Sequence, residues 1–135
     1  QKIYTMDRIR FTNVFFIDDD TLKNADVQLY EVLGATDALI TDYSSVAIDF
    51  MLMNRPIGFT LDDFDGYKNS RGFVFDDPLE FMPGHHMFSY EDMESFLQDV
   101  ADEKDLYEQK RLTVMPNVHN RKEQNCQRIA DTLQW

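Results

Sequence analysis

The stretch Ala38-Leu39-Ile40-Thr41-Asp42-Tyr43-Ser44-Ser45-Val46-Ala47-Ile48-Asp49-Phe50-Met51-Leu52-Met53 decides the fold. Ala38 to Thr41 is a compact apolar run of strand length that ends on a polar turn. From Ser44 to Met53 nearly every position is apolar, which predicts a helix with nearly all faces apolar. Asn54-Arg55-Pro56 breaks that helix, because proline lacks an amide hydrogen and restricts the residue before it. Ile57-Gly58-Phe59-Thr60 predicts the next strand. Strand, helix and strand joined by turns this short form a parallel βαβ unit, with helices packed over the sheet and right-handed crossovers as the default.

Outward from this centre the pattern continues. Asn13 to Ile17 (NVFFI) predicts a buried strand that ends at Asp18-Asp19-Asp20. Val27, Leu29, Tyr30, Val32 and Leu33 predict a short helix from Asp26, with Gly34 as its C-cap. Leu61 to Phe88 is rich in Asp, Gly, Pro and aromatic residues and is expected to be irregular. At that length it is more than a passive connection. Ser89 with Asp92 predicts a capping box opening a helix through Val100, with Met93, Phe96, Leu97 and Val100 on one face. Two further helices are expected, over Leu106 to Met115 and Glu123 to Leu133.

The composition suits one soluble domain: 135 residues, 43% hydrophobic and 28% charged. The formal net charge of −12 speaks against nucleic acid, which wants a clustered basic face. It does not exclude a small phosphorylated ligand, since one diphosphate can be held by a few amides and side chains. No apolar run approaches the roughly 20 residues that span a bilayer, and nothing at the start reads as a signal peptide. Cys126 is the only cysteine, so an internal disulfide is impossible and a reducing, cytoplasmic setting is the simplest expectation. Gln1 in place of an initiator Met predicts a processing or expression boundary. Asp18-Asp19-Asp20 lacks the spaced oxygens and glycine of a calcium loop, and no metal or other cofactor is expected.

The chemistry concentrates where the first strand of the unit turns into its helix. In open parallel α/β sheets, ligands bind beyond the carboxyl ends of the strands. Ser44 and Ser45 offer hydroxyls there, beside amides from Ser45 to Ala47 expected to be unpaired within the helix. The plainer alternative is that one serine is merely an N-cap. Asp49 lies one turn deeper and needs a hydrogen-bond partner or a ligand hydroxyl among its apolar neighbours. It could equally be a surface acid or pair with Arg55. His85 and His86, adjacent in what is expected to be an extended loop, would point to opposite sides. They read as an exposed, idle pair rather than as metal ligands, with a phosphate contact as the alternative. His119 is a cap or a cleft residue, and Cys126 a small packed residue rather than a nucleophile. The aromatics Phe64, Tyr67, Phe73, Phe75, Phe81 and Phe88 either bury the long loop against the sheet or form a stacking platform.

Beyond the generic pattern, the ordered set Thr36 to Val46 with Asp49-Phe50, Asn54-Arg55-Pro56-Ile57, Arg71-Gly72-Phe73 with Phe75-Asp76, and Pro83-Gly84 resembles the CDP-glycerol glycerophosphotransferase family. It covers Asp26 to Gly84 well, and Asn125-Cys126-Gln127-Arg128-Ile129 is similar, more loosely, to the family's closing segment. The resemblance implies an α/β, three-layer Rossmann-like domain with a small parallel sheet: the C-terminal, donor-binding half of a GT-B-like enzyme, over 1–135. It implies transfer of polyol phosphate, glycerol phosphate first, from a CDP-polyol donor to a teichoic-acid or capsule-like polymer, with CMP released. Carried over by position, Ser44, Ser45 and Arg71 would bind the donor pyrophosphate. Asp42 and Asp49 would lie near the ribose or the helix start, with Arg128, His85 and His119 as further candidates. The polymer or lipid-linked acceptor would be held mainly by an N-terminal half not in this chain, as would the family's Arg-x-His-Pro element. The parent would work in the cytoplasm, peripheral to the inner face of the membrane. His85-His86 departs from the family's usual continuation after Pro83-Gly84.

Two rival readings remain open on the residues alone. A sugar-nucleotide glycosyltransferase of the same architecture would use the same serine turn. A receiver-like interaction module is suggested only by Asp18-Asp19-Asp20 after a strand, and Lys104, Lys110 and Lys122 all lie in helical sequence where a receiver wants a lysine after a strand.

Overall fold

A computed structural model describes residues 12–119 and 124–133. The chain divides into two compact units, one ending at Gly34 and one beginning at Ala35.

The first unit holds α1 (Asp19–Ala25) and α2 (Leu29–Gly34). Asp18 is the N-cap of α1: its Oδ1 accepts from the Thr21 amide at 2.8 Å and the Thr21 hydroxyl at 2.6 Å. Those bonds, the hydroxyl's first, hold the Asp18 carboxyl below the usual range. The acidic triplet therefore starts a helix. Asp26 ends α1 in the left-handed conformation at φ 54°, which explains why α2 opens three residues later than the expected Asp26. Asn13 to Ile17 is not a strand. It joins no ladder, and its apolar side chains are exposed, Phe15 at 82%. An apolar run supplies the tendency to bury, but a strand exists only with a partner for its amides and carbonyls.

The second unit is the α/β body. β1 (Leu39–Thr41), β2 (Ile57–Thr60) and β3 (His85–Met87) form a parallel sheet in the order β1-β2-β3. Leu39 pairs with Ile57 and Thr41 with Phe59; Gly58 pairs with His85 and Thr60 with Met87. Ile57, Gly58 and Phe59 of the middle strand are all buried, as both faces of a parallel sheet require. Between β1 and β2 lie α3 (Val46–Phe50) and a 3-10 turn at Met51–Met53. Asn54 closes that turn in the left-handed conformation at φ 49°. Between β2 and β3, where irregular chain was expected, lie α4 (Phe64–Ser70) and a 3-10 turn at Pro78–Phe81. α5 (Tyr90–Ala101), α6 (Glu108–Val118) and α7 (Asn125–Leu133) complete the chain; Glu123, the expected start of the last helix, lies outside the described residues.

Two glycines fix how closely these parts approach. A Cβ on Gly58 would lie 2.9 Å from the Met87 methyl and 3.0 Å from the Phe96 ring, so α5 sits directly on the middle strand. A Cβ on Gly84 would lie 2.2 Å from the Ile57 carbonyl oxygen. Pro83-Gly84 is thus a backbone-on-backbone contact that starts β3. The capping box of α5 is present: Asp92 Oδ2 accepts from the amides of Phe88 and Ser89, and Ser89 Oγ from the Asp92 amide. Phe96 is buried and Met93 and Val100 are half-buried, but Leu97 is 50% exposed.

Arg111 is the unexpected member of the core, with 0% exposure. Its Nε donates to Asn54 Oδ1 and its Nη2 to the Asn54 carbonyl, both at 3.1 Å. Its Nη1 donates to Asp105 Oδ1 at 3.0 Å, and Nη2 also reaches Asp105 Oδ2. The helix α6 is so tied to the turn that introduces β2.

Candidate functional site

β1 ends at Thr41, whose carbonyl accepts a bond from the Thr60 hydroxyl at 3.3 Å. The chain then turns through Asp42 to Ser45 into α3, so the expected switch from strand to helix is present. Its details differ from expectation. Ser45 occupies the N-cap position with helical dihedrals, φ −62° and ψ −16°, and its side chain makes no capping bond. Ser44 Oγ accepts a long bond from the Val46 amide at 3.4 Å, and the Ala47 amide bonds to the Ser44 carbonyl at 3.2 Å. The amides at Val46 and Ala47 are therefore engaged locally. α3 is only five residues long, so its dipole is small, and the polar character of the turn rests on the two exposed hydroxyls.

These serines line a cleft of about 280 Å³. Ala47, Met51 and Phe59 contribute apolar surface from α3, the 3-10 turn after it and β2, and Phe73, Val74, Phe75 and Phe81 from the segment after α4. Gly72 admits that segment: it follows the C-cap Arg71 at φ +70°, a conformation in which any Cβ is strained. The aromatics pack mostly on one another. Tyr43 stacks on Tyr67 with centroids 3.9 Å apart, Phe64 on Phe73 at 5.3 Å, and Phe75 on Phe81 at 3.7 Å. The Tyr43 hydroxyl donates to Asp63 Oδ1 at 2.9 Å. Burial, that bond and the carboxylates of Asp63, Asp62 and Asp42 push the phenol pKa well up, so the hydroxyl stays a donor.

Of the residues singled out in the sequence, Asp42, Ser44 and Ser45 share the lining of this cleft. Asp49 is half-buried on α3 outside the lining, and Arg71 is exposed at the end of α4, one residue from Gly72. Arg128 is exposed on α7. His119 ends α6, where its Nε2 donates to the Ile48 carbonyl of α3 at 2.6 Å. His85 and His86 are not an idle loop pair but two of the three residues of β3, each half-buried. His86 donates from Nε2 to the Met82 carbonyl at 2.8 Å, and His85 packs edge-on against Phe96 and Tyr107. Burial, foremost, lowers the His86 pKa. Cys126, expected to be packed, is exposed on α7. Among the described residues no cluster of His, Cys, Asp or Glu could hold a metal ion, and no helix is long and apolar enough to cross a membrane.

The aromatics named in the sequence supply most of the apolar wall; what the sequence reading missed is its link to the serine turn. Tyr43 was visible only as a letter between two site residues; an aromatic in so polar a turn was the available signal.

Comparison with known proteins agrees with the motif reading. The chain is 30% identical over 120 residues to the teichoic acid ribitol-phosphate primase of Bacillus spizizenii, covering 86% of this chain and 29% of that protein. It is 40% identical over 72 residues to the teichoic acid glycerol-phosphate primase of Bacillus subtilis, covering 53% and 18% respectively. Over 84 residues it is 42% identical to the teichoic acid glycerol-phosphate transferase of Staphylococcus aureus, covering 57% and 21%. The chain thus spans less than a third of the length of these relatives. The family model described as CDP-Glycerol:Poly(glycerophosphate) glycerophosphotransferase matches residues 9–134, and the chain belongs to that family.

Proposed function

We propose that this chain binds the nucleotide donor of a polyol-phosphate transferase that extends a teichoic-acid or capsule-like polymer. The donor is CDP-glycerol, its diphosphate held at Ser44 and Ser45 and its less polar parts against the aromatic wall. The observation that carries this reading is the cleft itself: two exposed serine hydroxyls, that of Ser45 making no capping bond and that of Ser44 only a long one to the Val46 amide, at the carboxyl end of a parallel strand, beside a large apolar surface. Family membership supports the reaction class.

The step is an in-line displacement. An acceptor hydroxyl oxygen bonds to the donor's β-phosphorus as the bond to the bridging oxygen breaks, and CMP leaves with that electron pair. Such chemistry depends on positioning and on charge stabilisation. Arg71 and Arg128, both exposed, are the cations proposed to reach the phosphates in the assembled enzyme. A second, GT-B-like half outside this chain supplies the acceptor and the base, at the cytoplasmic face of the membrane.

The test is a titration of the chain, followed by amide chemical shifts, with CDP-glycerol, CDP-ribitol, CDP and a UDP-sugar. Perturbation centred on Tyr43 to Ala47 by the cytidine compounds alone is the expected result. A stronger response to CDP-ribitol would change the polyol, and a response to the UDP-sugar would move the chain to the glycosyltransferase reading. Silence of that segment at millimolar nucleotide would sink the assignment.

A further inference from the structure

The cleft is walled by two segments far apart in the chain, and one side chain joins them. Tyr43 lies in the turn between Asp42 and Ser44. Its ring lies on Tyr67 in the middle of α4 and meets Phe73, just past Gly72, edge-on at 5.5 Å. Its hydroxyl bonds to Asp63, the N-cap residue of the same helix. Beyond these contacts α4 is held by ring contacts of Phe64 and Tyr67 with Phe73, which belongs to the same wall. The helix has seven residues, none of them buried, and Asp63 makes no side-chain bond to its own helix. Helices this short do not persist in water without tertiary support.

We infer that Tyr43 is a positioning residue: it clamps α4 against the serine turn and so holds the wall formed by Phe73, Val74 and Phe75 in place before a ligand arrives. This inference rests on the cleft being the donor site. A wall already ordered costs the ligand nothing to order, so the clamp acts on affinity through preorganisation. Burial first, then the bond to Asp63 and the carboxylates of Asp63, Asp62 and Asp42, keep the phenol protonated, so the clamp does not release near neutral pH.

The experiment is amide hydrogen exchange on the ligand-free chain, with CDP titration alongside, for the parent, Tyr43→Phe, Asp63→Ala, Asp63→Asn and the Tyr43→Phe/Asp63→Ala pair. Tyr43→Phe keeps the stack and loses the bond. It should speed exchange between Tyr67 and Phe75 and weaken CDP binding, each by about two- to tenfold, the worth of one net hydrogen bond. Asp63→Ala should match it, and the pair should be no worse than either single change, because both break the same contact. Asp63→Asn keeps an acceptor and should retain most of the protection. α5 should exchange at the parent rate throughout. Unchanged exchange between Tyr67 and Phe75, additive effects in the pair, or a rise spread equally over α5 would each overturn the clamp. If the parent chain binds no CDP, the donor-site reading falls, and with it the clamp's role in binding; the exchange data then decide separately whether Tyr43 holds α4.

Discussion

Asp105→Ala should destabilise this protein more than Arg111→Met, although arginine is the larger side chain. Arg111 is fully buried and Asp105 is 25% exposed. Removing the aspartate leaves a guanidinium inside the unit with its charge uncompensated and only the Asn54 oxygens as partners. Stranding a buried ion this way costs about 3–5 kcal/mol. Removing the arginine instead leaves a carboxylate that can turn to water, and methionine refills much of the volume. What remains is the Asn54 carbonyl and Oδ1 without their donor; Asn54 is only half-buried and its side chain can turn to water, which leaves the carbonyl as the main loss, about 1–3 kcal/mol. A domain of this size has only about 5–15 kcal/mol in hand. Asp105→Ala should therefore lower the melting temperature by on the order of 10 °C. The double variant separates this account from simple loss of packing. Adding Arg111→Met to Asp105→Ala removes the stranded charge and should recover stability. Chemical denaturation of the parent, both single variants and the double variant measures all the terms. A double variant less stable than Asp105→Ala alone would refute the reasoning.

Other consequences can be checked in the same way. Gly84→Ala forces a methyl against the Ile57 carbonyl and should abolish or severely impair folding. Gly58→Ala meets the movable Met87 methyl and the Phe96 ring and should cost much less; comparative expression and melting test the order. His86 has a folded pKa below its ordinary value of about 6.5, so its neutral form is the one the fold favours. Its contribution is fully present above that value and is lost as pH falls through the lowered folded value. His86→Gln should flatten this part of the pH–stability profile. If the proposed donor site holds, Ser45→Ala or Arg71→Ala in the full-length protein should lower turnover about tenfold to a hundredfold with little change in melting, the worth of one charge-assisted contact. Normal turnover per folded molecule would leave those residues a structural role.

The parts of the fold that could be read in advance are those whose causes are local. Leu39 to Thr41 and Ile57 to Thr60 are bounded by polar turns and a proline, and the helix opened by Ser89 carries its own capping bonds. The parts that could not be read depend on a partner distant in sequence. His85 to Met87 has no strand-like composition and becomes a strand because Gly84 lets it lie against Ile57. Asn13 to Ile17 has that composition and forms no ladder. Arg111 sits in a helix whose charges suggest a solvated face, and it becomes core through Asp105 and the left-handed Asn54, whose oxygens accept from the guanidinium. For the cleft, the turn that carries Ser44 and Ser45 was legible because strand and helix meet there. The aromatics of the wall were also visible, but not their join to that turn, because it is made by stacking between residues of α4, the loop beyond it and the turn after β1.

The order β1-β2-β3 also constrains how this chain finds its structure. No two of these strands are joined by a hairpin: Leu39 must meet Ile57 and Gly58 must meet His85, each across an intervening helix. Zippering from a tight turn, the fast route to a sheet, is closed to it, and the closure entropy of both crossovers is lost before any ladder bond repays it. The elements able to form early are those with their own local bonds, α5 above all. Phe96 of α5 lies over Gly58 of the middle strand, so a preformed α5 offers a surface on which β2 and β3 can collect. Refolding should be rate-limited by that docking. Substitutions at Phe96 should slow folding, whereas those in β1, which has one strand neighbour among the described residues, should chiefly speed unfolding.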